Sequence, residues 1–554
     1  MNLLSEIFCG EEKIFSRKVP VLHAALILTS VAFVWMFSHS TSPRYFFIGL
    51  DSSVFQVIGK YWAQGHLPYV ELFDQKGPLI FLINALGYMI TPRVGIMVPQ
   101  IIFMYFSLLM LWRAIELVDS NGGKKFFFVL TIFYYAAHYW EGNNCGEYTM
   151  PFLALATFCF LKTLKISSGK NFIGGDEPKL SNGCKADQLD ATSRCCPTIY
   201  GFIYGFGFGG CVLLRASNSM PICCYVFLTM IFLIHAHDFK TLRQNVLSFC
   251  AGFAVIVLPF VIYFAAHGAL YDALYGTILF NVNYATRGKI EYGLDARLEY
   301  SILNLMPIYL MIVFGTVLLV RDLKNKLAWS SIFVGVMMSL LLMNLRLYFH
   351  YCMIVVSTMP LLFVVLKSSL KICRPILSAP HFSFKRLFMK IFVVSAATYA
   401  LTCCLQYSVF MAKYFSTAYI SAEKKLYDEE VRDIRRLQSL IPEDERNSFA
   451  CWGNFYSTSH WILTADMKPN QRFFMNNSAL VLLEPAQKYE WLQNVRDTST
   501  LWILYGTNKT LKDKYDLDEH RADPDVEKFL AERYELRGEI LIYDQVMKLY
   551  RLSD

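Results

Sequence analysis

Residues 73–90 read FDQKGPLIFLINALGYMI, and the way their apolar part, Pro78–Ile90, meets a bilayer decides the arrangement of the whole chain. As a helix these residues reach about 20 Å, short of a hydrocarbon core of about 30 Å. If the segment crosses, every later loop changes side. If it lies in the interface, the basic loops fall together: residues 113–125, 162–197, 238–243, 321–326 and 367–390, with the N-terminus. That side then carries 23 of the 32 Lys and Arg residues that precede residue 411, and the opposite loops carry nine. Basic residues concentrate on the cytoplasmic side, so Pro78–Ile90 is read as an interfacial helix.

Composition demands a membrane. Of 554 residues, 55% are hydrophobic and only 17% are charged, more apolar surface than a soluble core absorbs. The average hides a break near residue 410. Residues 1–410 carry 32 Lys+Arg and 20 Asp+Glu, and the much shorter 411–554 carries 20 and 24. Such a jump in charge density is a change of solvent. Long apolar runs begin at Pro20 and recur near residues 104, 132, 157, 207, 227, 256, 311, 335, 359 and 400. The expectation is an α-helical polytopic membrane domain of about 11 spans over 1–410, followed by a small α/β domain over 411–554. Helical stretches are expected at Ala422–Leu440 and Asp525–Tyr534, and strands at Leu501–Tyr505 and Ile540–Tyr543. Residues 167–197, rich in Gly, Ser, Lys and Asp, read as a cytoplasmic linker. Nucleic-acid binding and a disulfide scaffold do not fit, and the adjacent pairs Cys195-Cys196 and Cys223-Cys224 are wrongly spaced for zinc.

This topology puts the unusual polar residues on one outer face: the loop 38–93, the loop 141–148, the segment around Arg215 and residues 344–351. Asp51 reads as a helix N-cap and also as a carboxylate placed to take a proton at the membrane surface. Lys76 is a snorkelling anchor or a neutraliser of lipid phosphate. Glu147 opens a returning helix, where the helix dipole favours a carboxylate, yet its own loop holds no lysine or arginine. Arg215 and Arg346, with His350, suit a phosphate or pyrophosphate headgroup. Trp452, Tyr456 and Trp461 read as core or as stacking platforms for sugar rings.

The order of these residues resembles a family. Asp51, then Trp62-Ala63-x-Gly65-x-x-Pro68-Tyr69, then Phe73-Asp74-x-Lys76-Gly77-Pro78-Leu79, is similar to the bacterial GT-C glycosyltransferases, in particular the RgtA/B/C/D-like and protein-mannosyltransferase-like group that includes aminoarabinose transferases. Gly142-Asn143-Asn144-x-x-Glu147-Tyr148-x-x-Pro151-Phe152, Arg346-x-Tyr348-x-His350-Tyr351 and Cys451-Trp452-Gly453-Asn454 also resemble segments of that group. Gln75 and Gly77 depart from it, where relatives often have an acidic residue and a second proline.

The resemblance implies transfer of a sugar from a polyprenyl-phosphate donor to a glycan, lipid or protein acceptor outside the cytoplasmic membrane, usually with inversion. The N-terminus would be cytoplasmic and the C-terminal domain extracytoplasmic. Asp51 would be the general base. Glu147 would orient the acceptor or a metal, and Lys76, Arg215, Arg346 and His350 would hold the donor phosphate. Some members use a divalent cation (Mg or Mn), and Gln75 removes one candidate ligand. The alternatives are a polymerase or ligase acting on lipid-pyrophosphate oligosaccharides, and a flippase for the same lipids. A flippase needs polar residues near the midplane, and here they sit at span ends.

Overall fold

The computed structural model describes residues 3–9, 18–118, 123–139, 141–168, 186–287, 293–344, 347–378, 401, 405, 408, 412, 415–475, 485–508, 523–543 and 545–553. Ten of the expected apolar runs are helices, from Lys18–Phe37 to Met359–Ser378. The eleventh, near residue 400, lies almost wholly outside the described residues. Among the described residues, six helices are long and apolar enough to cross a membrane. A seventh arises if Leu294–Asn304 and Met306–Arg321, bent by 76°, form one span. The protein is a multi-pass membrane protein.

Helix reaches back to Ala186, inside the stretch expected as linker. An Ala-Asp-Gln-Leu start favours helix more than a Gly- and Ser-rich composition suggests. Residues 169–185 lie outside the described residues.

The outer loop 38–93 folds against the bundle around two helices. Leu50–Ala63 starts after Gly49, whose φ of +82° suits glycine, and buries nearly all of its length. Pro78–Ile90 has proline in its first turn, where the missing N–H costs nothing. Its start is tied to a span. The Gly77 N–H donates to the Leu214 carbonyl (3.1 Å) and the Leu79 N–H to the Leu213 carbonyl (2.9 Å). A Cβ at Gly77 would stand 2.1 Å from the Leu213 oxygen, so this close approach requires glycine. Arg93 gathers the front of the loop, its guanidinium donating to the carbonyls of His39, Ser40, Ser42, Tyr45 and Phe47.

The C-terminal domain begins with the helix Thr417–Gln438, capped by Ser416, and holds a four-stranded sheet. Its strands are β1 (Phe449–Trp452), β2 (Trp502–Asn508), β3 (Tyr534–Ile542) and β4 (Gln545–Leu552), in the order β1-β2-β4-β3. β1 and β2 run parallel; β4 is antiparallel to both β2 and β3. The helix Pro524–Arg533 leads straight into β3. Trp452 and Trp461 are fully buried and Tyr456 nearly so, so all three serve the core. Asn454 ends the β1 turn by capping Phe455–Ala465 through the Tyr456 N–H.

This domain is seated on the outer loop. Val54, Phe55 and Ile58 share one apolar cluster with Tyr456, Trp461 and Ile462. Glu423 accepts the N–H groups of Phe46 (2.6 Å) and Phe47 (2.7 Å). Lys468 pairs with Glu71 at 2.7 Å, Arg472 pairs with Asp272 at 3.0 Å, and the Phe73 N–H donates to the Arg472 carbonyl.

Candidate active site

Five segments meet at one end of the bundle around a cleft of about 340 Å³ including its open mouth. Asp51 and Phe55 come from one face of Leu50–Ala63, and Lys76 from the turn before Pro78–Ile90. Asn144, Cys145 and Gly146 open the helix Cys145–Ser168, and Arg215 and Asn218 occupy the break before Met220–His235. His350, Tyr351 and Ile354 lie on the 3-10 segment Phe349–Thr358. Asp51, Lys76, Arg215 and His350, distant in sequence, thus line one cleft. Arg346 lies outside the described residues.

Asp51 is not the cap of its helix. Leu50 is the first helical residue, and its N–H donates at 2.6 Å to Oε2 of Glu141, from the second outer loop. A cap supplied by another loop leaves the Asp51 carboxylate facing the cleft. Among the described residues no hydrogen bond or ion pair engages it.

Lys76 is held by its backbone. The Tyr69 hydroxyl donates to the Lys76 carbonyl (2.7 Å), and Asn281 Nδ2 donates to the Gln75 carbonyl (2.7 Å). Burial opposes a charged ammonium here, but the carboxylates of Asp74 and Asp51 outweigh it and push the Lys76 pKa up. Asp74 is itself buried, and burial raises its carboxyl against the pull of Lys76. Its Oδ2 has no protein partner. An Asp two residues before a lysine at a Gly-Pro turn was the available signal for it. The Lys76 ammonium lies 5.6 Å from the Phe55 ring centroid, and the Arg215 guanidinium stacks over Tyr351 at 3.6 Å. His350 packs edge-on against the same Tyr351 ring (4.6 Å).

Glu147 is not among the residues lining the cleft. It is fully buried. Its carboxylate accepts from the Tyr139 hydroxyl, from Gln100 Nε2 (3.0 Å) and from the Asn143 N–H (2.8 Å), while its own N–H donates to Asn144 Oδ1. These bonds lock a turn in which Glu141, Gly142 and Asn143 all have positive φ, and so present Asn144–Gly146 to the cleft. No group of three or more Asp, Glu, His or Cys positioned to hold a metal ion occurs among the described residues.

A helical membrane bundle with a two-helix loop at one end and a small C-terminal α/β domain packed on that loop is a GT-C-like fold. Solved structures similar to it include the following two. ArnT from Cupriavidus metallidurans, bound to undecaprenyl phosphate, is 12% identical with a TM-score of 0.50, over 96% of this chain and 97% of that one. The Archaeoglobus fulgidus oligosaccharyltransferase, tethered to an acceptor peptide, is 11% identical with a TM-score of 0.42, over 87% of this chain and 69% of that one. No family model and no curated protein matches the chain.

Proposed function

We propose that the protein is an integral-membrane glycosyltransferase that moves a sugar from a polyprenyl-phosphate donor to an acceptor hydroxyl on the outer face. The observation that carries this reading is the cleft itself: one carboxylate without a hydrogen-bond or ion-pair partner among the described residues, Asp51, lining the same cleft as two cations, Lys76 and Arg215. The undecaprenyl phosphate of the ArnT structure supports the choice of donor class.

In this mechanism Asp51 takes the proton of the acceptor hydroxyl as its oxygen attacks the anomeric carbon. The bond from that carbon to the phosphate oxygen breaks, and its electron pair leaves on the phosphate. Attack from the face opposite the phosphate inverts the anomeric centre. Lys76 and Arg215 stabilise the departing polyprenyl phosphate, charge that grows as the bond breaks. His350, which lines the same cleft, is assigned to the phosphate with them, and Arg346 is assigned the same role on its sequence alone. Glu147 positions the second loop and does not touch the reacting atoms.

Native mass spectrometry with undecaprenyl phosphate as the probe tests the donor half. The purified protein is expected to retain the lipid, and Lys76→Ala and Arg215→Ala to lose most of it. Equal retention by both variants contradicts the assignment.

A further inference from the structure

We propose that Glu141 is the positioning residue of Asp51: it caps the helix Leu50–Ala63 from a different loop and so fixes where the Asp51 carboxylate stands in the cleft. This deepens the proposed function and rests on its reading of Asp51 as the base.

The first turn of that helix has no cap of its own. Gly49, the residue before it, has no side chain to accept an N–H, and the groups at such an end need partners when buried. Glu141 Oε2 fills the place at 2.6 Å from the Leu50 nitrogen. It approaches so closely that a Cβ built on Gly49 would lie 3.1 Å from it. Glu141 is in turn fixed. Its carbonyl accepts the Ser40 N–H (2.9 Å), and the Gly142 carbonyl accepts the Ser40 hydroxyl (3.2 Å). Its own φ is +53°, a left-handed conformation that persists only where surroundings impose it. The helix end carrying Asp51 is therefore held from both loops, one residue from the reacting group.

Asp51 on the helix, and Tyr419 and Tyr456 from the C-terminal domain, are the ionisable groups that face Glu141. Burial first, and Asp51 second, push its pKa up to about 8 against the Leu50 hydrogen bond. At neutral pH it therefore caps as an uncharged acceptor. A glutamine offers the same carbonyl oxygen at the same reach; an alanine offers nothing.

The test restores cells lacking the chromosomal copy with variants at matched membrane levels, and reads the sugar added to the native acceptor by mass. Glu141→Ala is expected to reduce transfer ~10–100-fold, the scale set by small misplacements of a reacting group, and Glu141→Gln to restore it to within about threefold. Leu50→Pro removes the donated N–H at a position where proline suits a helix, together with a partly buried leucine side chain; it is expected to match Glu141→Ala, and the control Leu50→Ala, which loses the side chain but keeps the N–H, to transfer within about threefold of the wild type. Equal loss in Glu141→Gln and Glu141→Ala would mean that charge matters rather than the cap, and overturns the proposal. So does full transfer by Leu50→Pro, which also decides the matter if Glu141→Ala fails to accumulate. Full transfer by Asp51→Asn overturns the reading of Asp51 as base; loss in Asp51→Asn with full transfer in Glu141→Ala overturns the positioning role alone.

Discussion

The Arg215 guanidinium lies 3.6 Å above the centre of the Tyr351 ring, and both line the cleft with Asp51 and Lys76. The stack holds a long, flexible cation flat at the break between two helices, where it would otherwise sample many rotamers. Tyr351→Phe keeps the ring and is expected to bind undecaprenyl phosphate as well as the wild type. Tyr351→Leu removes a cation–π contact of roughly 0.5–2 kcal/mol, a loss of about 2–30-fold in lipid affinity. Arg215→Lys is expected to fare worse than Tyr351→Leu, because an ammonium neither stacks as a plane nor grips phosphate through two donors. Titration of the lipid by native mass spectrometry checks the series.

Gly77 offers a steric test. Its added Cβ would strike the Leu213 carbonyl at 2.1 Å, whereas a Cβ at Gly65 meets nothing within 4 Å although its φ is +95°. Gly77→Ala is expected to separate the outer loop from the bundle and cost several-fold more than the ~1 kcal/mol expected for Gly65→Ala. Thermal unfolding of the two variants in the same detergent measures the contrast.

Glu423 docks the C-terminal domain. Removing its carboxylate leaves the Phe46 and Phe47 N–H groups without their acceptor, at about 1–3 kcal/mol for each that stays buried. Glu423→Ala is expected to lower the melting temperature and speed proteolysis between residues 416 and 449, while Glu423→Gln, which keeps an acceptor oxygen, lies between it and the wild type.

The Glu141 carboxyl gives a pH dependence of defined sign. Its pKa rises on folding from 4.5 to about 8, because burial and Asp51 disfavour its charge. Its contribution to stability is thus full below about pH 4.5 and is lost as pH rises through about 8. Glutamine has no proton to lose. The melting temperature of Glu141→Gln relative to the wild type is expected to climb from about pH 4.5 and level off above about 8. A difference independent of pH would contradict the buried, protonated state.

Much of this architecture is legible in sequence because its signals are local. Pro78–Ile90 has the expected boundaries, since Gly77-Pro78 opens it and Thr91-Pro92 closes it. The break in charge density near residue 410 precedes the first helix of the outer domain at Thr417. β2 and β3 appear as apolar runs, whereas β1, only four residues long, and β4, with charged residues on its open face, do not. The site is legible only in part, because a side chain's partners depend on contacts far along the chain. Asp51 opens a helix and so reads as its cap, but the true cap comes from Glu141, ninety-one residues away from Leu50. Glu147 reads as a first-turn carboxylate free to orient an acceptor or a metal, but Gln100, forty-seven residues away, donates to it and helps to bury it. Asp74 has a local signal in Lys76 and the Gly77-Pro78 turn beside it, but its burial comes from segments far along the chain.

The central claim is that Asp51 removes a proton from an acceptor as a sugar leaves polyprenyl phosphate. Its most direct test is a mass comparison of lipid-linked and surface glycans in a deletion strain, the strain restored with the wild-type protein, and the strain restored with Asp51→Asn at equal membrane abundance. The expected result is one and the same missing sugar in the deletion and Asp51→Asn strains, present on restoration with the wild type. A full glycan profile with Asp51→Asn would contradict it.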